Sequence, residues 1–374
     1  MTARQMPASQ ELIRTRLVAP PAPSAWLLHP AIDLMFCCGG LVWLLVALHV
    51  LLGWSPAHER SLAGTASGSL ISLIGVLLLS DTHNAATLVR LYGDRQIRTS
   101  ARSIAYGAPL VLAAIAAASM IWTSLLGVVL LAYTVFIAQH FTAQAYGIAL
   151  IYCNKRGYRL NSADRKILQV LLQATMVFAI VRQFAEPGFR SAKIIGISPP
   201  VLEMLPDWLL YASLGGVVAA ALVFAYLVVI KALRERSYLP LPALLLVATS
   251  VAIFTVSKDI FGLLWIYVPA FFHGSQYLVV TTSCHLKHLC RERNLPASKA
   301  ATLIFTRENL EYWGLLLFIG IGLYIGVPAL LNKLGIPFAI AFAAVFSAVN
   351  LHHFLADHTI WRMRDPKIRQ ILVA

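Results

Sequence analysis

Long apolar runs, separated by short clusters of polar and charged residues, occupy most of this sequence. A membrane-spanning helix needs about 20 mostly apolar residues, so stretches free of Asp, Glu, Lys and Arg mark the candidates. They lie at 34–58, 61–80, 103–154, 167–181, 208–230, 237–257, 260–286, 313–332 and 334–356, and the stretch 103–154 has room for two helices joined by a turn near 119–124. The pattern predicts an all-α fold, a polytopic transmembrane bundle of about ten helices.

Composition agrees with this prediction and excludes a soluble globular protein. Hydrophobic residues make up 59% of the 374 residues, and Asp, Glu, Lys and Arg only 12%. A soluble chain of this size could not keep so much apolar surface from water. We therefore expect a single transmembrane helical domain at 32–358. Residues 1–31 form a polar, proline-rich tail, and residues 359–374 form a basic one.

The distribution of basic residues predicts the orientation of the bundle. A formal net charge of +14 would suggest nucleic acid in a soluble protein, but no basic segment stands apart from the apolar runs. If the N-terminus is cytoplasmic, 24 of the 30 Lys and Arg residues lie in tails and loops on that side, as the positive-inside rule requires. We expect both termini in the cytoplasm and a multi-pass protein of the inner (cytoplasmic) membrane. Its partners include the lipid bilayer and no nucleic acid.

Histidines carry most of the chemical information in the sequence. Eight of the 11 fall on the second, fourth, eighth and tenth predicted helices or just beyond them: His83, His140, His273, His285, His288, His352, His353 and His358. These four helices run in the same direction in the predicted topology, so the eight side chains lie towards the cytoplasmic face. Polar groups inside a membrane are costly and usually mark a functional site or a water-filled path.

Imidazole is the commonest protein ligand for iron, copper and zinc. We predict that His83, His140, His273 and His353, one from each of the four helices, bind a metal ion, which requires these helices to be neighbours around one polar cavity. Other polar residues could orient these ligands or replace one of them: Asp81, Gln144, Gln276, Tyr277, His285, His288, His352 and Asp357. A simpler alternative is that single histidines near the membrane surface are only interfacial residues, and His285 and His288 suit that interpretation equally well.

Two families of histidine-rich membrane enzymes share some of these motifs. Membrane fatty-acid desaturases and hydroxylases hold two irons with three histidine boxes, roughly HxxxH, HxxHH and HxxHH. The pairs His285/His288 and His352/His353 resemble parts of such boxes, but a clear first box is lacking and the spacings depart from the pattern.

The second family matches the histidines on the four helices. Around His83, His140, His273 and His353, with Asp357 four residues after the last, the chain resembles the Brp/Blh family of bacterial membrane carotenoid-cleaving dioxygenases. The resemblance is confined to these short stretches. It implies a single non-haem iron, held by histidines, that cleaves an apolar polyene with dioxygen.

Three functions are consistent with the sequence. The first is a histidine-ligated membrane oxygenase, with non-haem iron as the expected metal, that acts on a lipophilic substrate such as a polyene or lipid. The second is a transporter or channel whose polar cluster binds an ion or relays protons. The third is a haem-binding or partner-binding membrane subunit with two histidines as axial ligands. The gathering of histidines at one face, without an internal repeat, favours the first. The sequence leaves the substrate and the redox partner open.

Overall fold

The structure is a computed structural model that describes residues 25–52, 74–185, 205–256, 267–361 and 371–372. Within these ranges the chain forms helices and turns without a β-strand, in agreement with the predicted all-α fold. We number the helices in chain order: α1 (Gly40–Leu52), α2 (Thr82–Gly93), α3 (Arg95–Ser100), α4 (Ser103–Ile121), α5 (Thr123–Lys155), α6 (Ser162–Ala185), α7 (Asp207–Arg234), α8 (Leu241–Thr255), α9 (Tyr267–Glu292), α10 (Arg307–Lys333) and α11 (Phe338–Ile360). A π-helical turn, Val76–Asp81, leads directly into α2, and another, Gly322–Gly326, interrupts α10.

Among the described residues, six helices are long and apolar enough to cross a membrane: α4, α5, α6, α7, α10 and α11. α8 is apolar but shorter. Large hydrophobic side chains stand on the outer faces of these helices, including Leu110, Leu222 and Phe318. Such faces suit lipid and would be costly in water. The protein therefore has the architecture of a multi-pass helical membrane protein.

Most predicted helix positions agree with the described helices. The apolar stretch 103–154 divides at Trp122 into α4 and α5, as predicted. The predicted end of the second helix at residue 80 is wrong, because the chain stays helical as far as Gly93. The total of about ten helices and the sides of the termini stay predictions. Parts of the predicted helices (53–58, 61–73 and 260–266) and most of both tails lie outside the described residues.

A glycine turn breaks the first predicted helix, 34–58, within its described part. A π-helical turn, Asp33–Cys37, ends just before Gly39, and α1 begins directly after it. Gly39 has φ +88°, a backbone conformation that glycine adopts without strain, and a side chain there would overlap Thr249 of α8. The Thr249 hydroxyl also donates to the carbonyl oxygen of Cys38 at 3.1 Å. This close approach to α8 explains the break.

Four helices form a ring at the centre of the bundle. α2 packs against α9 and α11, and α5 packs against the same two helices. These four are the second, fourth, eighth and tenth predicted helices, so their predicted neighbourhood is confirmed. α4 packs on α11, α6 and α8 pack on α5, and α10 packs on α2, all outside the ring. The interior of the ring is thereby shielded from lipid.

Candidate metal centre

Four buried histidines fill the interior of the ring, one from each helix: His83 of α2, His140 of α5, His273 of α9 and His353 of α11. We call them the histidine cluster. Each ring lies edge-on or tilted against two others, with centroid separations of 4.7–5.1 Å around the cluster. The sequence prediction that these four side chains meet at one place agrees with this geometry.

The cluster contains two overlapping groups of ligand atoms that could hold a metal ion. His83, His273 and His353 form one group, and His140, His353 and Asp357 form the other. Within each group, one ligand atom per residue lies within 4.8 Å of the others. The two groups overlap, because His353 belongs to both.

The position of His83 depends on a close contact between helices. Its Nδ1 lies 3.1 Å from the carbonyl oxygen of Leu79, one turn earlier in the π-helical turn before α2. Gly274 of α9, next to His273, lies against the same carbonyl, and a Cβ at this position would overlap it. The absence of a side chain at Gly274 thus lets the helices that carry His83 and His273 approach each other.

His353 is oriented by a hydroxyl from α2. The Thr87 hydroxyl lies 2.7 Å from His353 Nδ1 and donates to Asp357 Oδ1 at 3.0 Å. In either tautomer of the ring, this contact turns His353 Nε2 towards the cluster. That Nε2 faces the Nε2 of His140 at 3.0 Å.

Asp357 is held beside the cluster by two further side chains. Its Oδ1 accepts from the Tyr277 hydroxyl at 2.8 Å, and the Tyr277 oxygen in turn accepts from the Trp361 indole at 2.9 Å. Its Oδ2 points to the cluster, 3.8 Å from His140 Nε2 and 3.6 Å from His353 Nε2. One carboxylate oxygen is thus fixed by the protein, and the other is available as a metal ligand or as a hydrogen-bond acceptor for an imidazole.

His273 gives the clearest chemical sign of a metal site. Both of its ring nitrogens are buried, and neither has a hydrogen-bond partner among the described residues. Its ring stacks on Phe141 at a centroid separation of 4.2 Å, which fixes its orientation. Buried polar atoms are almost always paired, because an unpaired one costs about 1–3 kcal/mol. A metal ion bound by one of these nitrogens would remove much of that cost.

Four other residues predicted for the site, Asp81, Gln144, Gln276 and His352, belong to neither metal-ligand group. The Gln144 amide donates to the carbonyl oxygen of His273 and to Gln276, both at 3.0 Å, so these glutamines brace α9. His352 faces the Ile104 carbonyl oxygen at 3.0 Å. Asp81 packs against Gly320 of α10 and belongs to neither metal-ligand group.

The two histidines near the end of α9 also lie apart from the cluster. His285 stacks on Tyr312 with the ring centroids 4.3 Å apart. His288 is largely exposed and lies 3.3 Å from Glu292, one turn later. Neither is a member of a metal-ligand group. The exposure of His288 agrees with the interfacial interpretation, whereas that interpretation stays a prediction for His285.

A cavity of about 220 Å³ adjoins the cluster between α5, α9 and α11. His140, Tyr277 and Asp357 line it, whereas the other three histidines of the cluster do not. The rest of its wall along α5 and α9 consists mainly of small or apolar side chains, among them Ala143, Gly147, Ile148, Ile151 and Val280. A small molecule in this cavity would therefore reach the cluster from the side of His140 and Asp357.

The sequence interpretation missed Thr87, although this residue contacts His353, Tyr277 and Asp357. The reason is the predicted end of the second helix at residue 80, which placed Thr87 in a loop. On a longer helix, His83 and Thr87 are four residues apart and share a face. That spacing is the signal that could have revealed it.

Comparison of the chain with protein-family models, curated proteins and solved structures finds no match. The resemblance to the carotenoid-cleaving dioxygenases therefore stays a prediction.

Proposed function

We propose that this protein is a membrane-embedded, metal-dependent oxygenase that uses non-haem iron and acts on a lipophilic substrate. The observation that carries the proposal is the cluster of four imidazoles from four helices, in which both nitrogens of His273 lack a hydrogen-bond partner among the described residues. Imidazole with one carboxylate is a ligand set typical of non-haem iron oxygenases. Bound iron would supply the dioxygen chemistry that side chains cannot provide.

The packing of the rings favours a bare ion over haem. Adjacent imidazoles of the cluster are in edge or tilted contact at centroid separations of 4.7–5.1 Å. A haem with two axial histidines needs its macrocycle between the two rings, and this cluster leaves no such gap. A single ion bound by nitrogen at about 2 Å needs far less space.

The environment of the cluster supports a reaction on an apolar substrate. His140 and Asp357 face the cavity and would place the accessible side of the ion there. The remaining ligands are enclosed by the four helices, which keeps bulk water away from the ion. Tyr277 and Thr87 hold Asp357 through one oxygen, so the other, which points to the cluster, can bind the ion or accept a proton from an imidazole.

The charge distribution supports the proposed cellular setting. We propose an inner-membrane protein with both termini in the cytoplasm, since the described loops after α2, α5 and α9 are rich in Arg and Lys. The cavity would then lie towards the cytoplasmic leaflet, where a soluble redox partner could deliver electrons.

Metal analysis of the purified protein tests the proposal. Elemental mass spectrometry should find about one equivalent of iron per chain, and the absorption spectrum should lack a Soret band. His273→Ala should lose the iron, whereas His288→Ala, on the same helix but exposed, should retain it. His285→Ala should also retain it, because His285 belongs to neither metal-ligand group. Loss of iron in this variant would favour a desaturase-like site.

Two results would contradict the proposal. A Soret band would identify a haem protein. The absence of any stoichiometric transition metal from folded wild-type protein would favour the transporter or channel.

A further inference from the structure

The cavity beside the histidine cluster has a polar end and an apolar end. His140, Tyr277 and Asp357 line the polar end. From His140 the wall follows α5 to Ile151, about 16 Å farther along the helix axis from the α-helical rise per residue. Ile151 is buried, and it belongs with Val280 of α9 to one hydrophobic core. The wall thus becomes apolar with increasing distance from the cluster.

The apolar end is closed by Leu372, a residue of the described segment 371–372. Leu372 lines the cavity with 2% of its surface exposed, and it belongs to the same hydrophobic core as Ile151 and Val280. The carbonyl oxygen of the preceding residue, Ile371, accepts a hydrogen bond from Lys287 of α9 at 3.1 Å. Lys287 follows Val280 by about two helical turns, so this segment lies at the end of the cavity that is remote from the cluster.

The cavity reaches the surface of the bundle close to the cluster. Three of the residues that line it are exposed: Gln139 and Ala143 of α5 and His358 of α11. In the chain, Gln139 directly precedes His140. His358 directly follows Asp357. The opening therefore lies between α5 and α11 beside the polar end, where a molecule dissolved in the bilayer can enter from the side.

The size and charge of the cavity restrict what it holds. Its volume of about 220 Å³ is below the range of about 300–1,000 Å³ that is usual for drug-sized ligands, so it suits a slender molecule. Among the described residues that line it, Asp357 is the one carboxylate, and none is a lysine or an arginine. An anionic head would find no cationic side chain in this wall, which therefore favours a neutral polar group.

We infer that the substrate is a neutral single-chain lipid with a hydroxyl at one end, bound with its methyl end against Leu372 and its hydroxyl beside His140 and Asp357. The inference rests on the proposed function, for which it names the substrate class. A hydroxyl fits this end better than a carbonyl, because the wall offers acceptors. Besides Asp357, Gln144 lines the cavity, and its buried amide oxygen has no hydrogen-bond partner among the described residues.

This arrangement has two consequences. The oxygen-bearing end of the chain, rather than its middle, lies at the candidate metal centre. Leu372 limits the length of chain that the cavity accepts, because it closes the end at which the methyl group lies.

Photo-crosslinking tests the orientation of the chain. Two analogues of tetradecanol, one with a diazirine at the methyl end and one with a diazirine on the third carbon from the hydroxyl, would be bound to the purified protein in a neutral detergent and irradiated. Mass spectrometry of the labelled peptides should place the methyl-end probe around Ile151 and Leu372 and the other probe around Ala143. Reversed labelling, or the same labelling by both probes, would overturn the inference.

Variants of Leu372 test the limit on chain length by competition among decanol, tetradecanol and octadecanol. Leu372→Ala makes room for one or two further methylene groups, so the affinity for octadecanol relative to tetradecanol should rise roughly 4- to 15-fold over wild type. Leu372→Trp should shift the preference towards decanol. Leu355→Ala is the matched control, because Leu355 of α11 is exposed, and it should keep the preference of wild type. An unchanged preference in both Leu372 variants would exclude Leu372 as the limit.

The charge of the polar end is tested with ionised tetradecanoate. At equal mole fraction in the detergent, tetradecanol should bind about tenfold or more tightly than this anion, because the cavity wall has no cation to pair with it. Equal or tighter binding of the anion would exclude the neutral end.

Iron content, measured on the same samples, separates failure of this inference from failure of the metal proposal. Protein that contains iron but gives reversed labelling would contradict the substrate class alone. Protein that gives the expected labelling without iron would support the chain orientation and contradict the metal proposal. His273→Ala should keep the labelling pattern, because His273 is not among the residues that line the cavity.

Discussion

The Thr87 hydroxyl connects three residues of the site. Its hydroxyl lies within hydrogen-bond distance of His353 Nδ1, Tyr277 and Asp357. Through these contacts a small residue of α2 determines which nitrogen of His353 faces the cluster and where Asp357 points. Orientation of this kind matters because a metal ligand that is free to rotate must be ordered when the ion binds.

Replacement of Thr87 tests this role. Thr87→Val keeps the shape of the side chain but removes the hydroxyl, so we expect iron affinity to fall by about 10- to 100-fold. Thr87→Ser keeps the hydroxyl and should bind iron within a few-fold of wild type. Competition with a chelator of known affinity would measure both, and equal affinities of Thr87→Val and wild type would show that Thr87 does not orient the ligand.

At the scale of elements, the site depends on how closely α9 approaches the π-helical turn before α2. Gly274 is the contact point, because it has no side chain to hold the Leu79 carbonyl away. A methyl group there would displace the turn and move His83, which follows Leu79 by one helical turn. The geometry of one ligand is therefore set by a backbone contact on the opposite helix.

Gly274→Ala should consequently reduce both stability and metal binding. The overlap with backbone leaves no flexible side chain to give way, so we expect a loss of about 1–3 kcal/mol in the free energy of unfolding and a lower iron content. Gly216→Ala is a matched control, because a Cβ on Gly216 of α7 meets open space. If the Gly274→Ala protein has the melting temperature and iron content of Gly216→Ala, the contact does not position His83.

Hydropathy predicts the bounds of a helix well where the helix is apolar throughout. It predicts them poorly where polar residues of a helix are buried inside the bundle. The division of 103–154 at Trp122 follows from length, since one helix could not contain so many apolar residues within a bilayer. The end of the second helix was misplaced because Ser80 to Asn84 are polar, and hydropathy falls although the helix continues. The Asn84 amide, for example, donates to Tyr324 of α10 and to Asn350 of α11, a tertiary effect that a single sequence does not display. The break at Gly39 likewise depends on Thr249, far away along the chain.

The candidate site was partly predictable for a related reason. Polar residues are rare within apolar runs, so the four histidines of the cluster stood out, and their helices do pack together. The sequence left open whether His285 and His288, which have the same chemistry and lie on α9, are further ligands or interfacial residues. Only the packing shows that these two face Tyr312 and Glu292 instead.

At the scale of the whole molecule, the orientation of the bundle in the membrane determines in which leaflet the cavity lies. The basic residues predict cytoplasmic termini, and reporter fusions can test this directly. A fluorescent protein fused after Ala374 or inserted between α5 and α6, at 156–161, should be active in the cytoplasm, and alkaline phosphatase at the same positions should be inactive. Insertion between α6 and α7 should give the reverse pattern. A periplasmic C-terminus would contradict the predicted topology and place the cavity in the other leaflet.

The ring of four helices also bears on how the protein is made. Its members are far apart in the chain, and His353, which belongs to both ligand groups, lies on the last of them. During synthesis from the N-terminus, neither group can exist until α11 has joined the bundle. An ion that binds only the finished arrangement stabilises that state alone. Binding of iron would therefore stabilise only chains in which all four helices are inserted and packed. Incompletely inserted chains would gain no stability from the metal and would remain open to proteolysis.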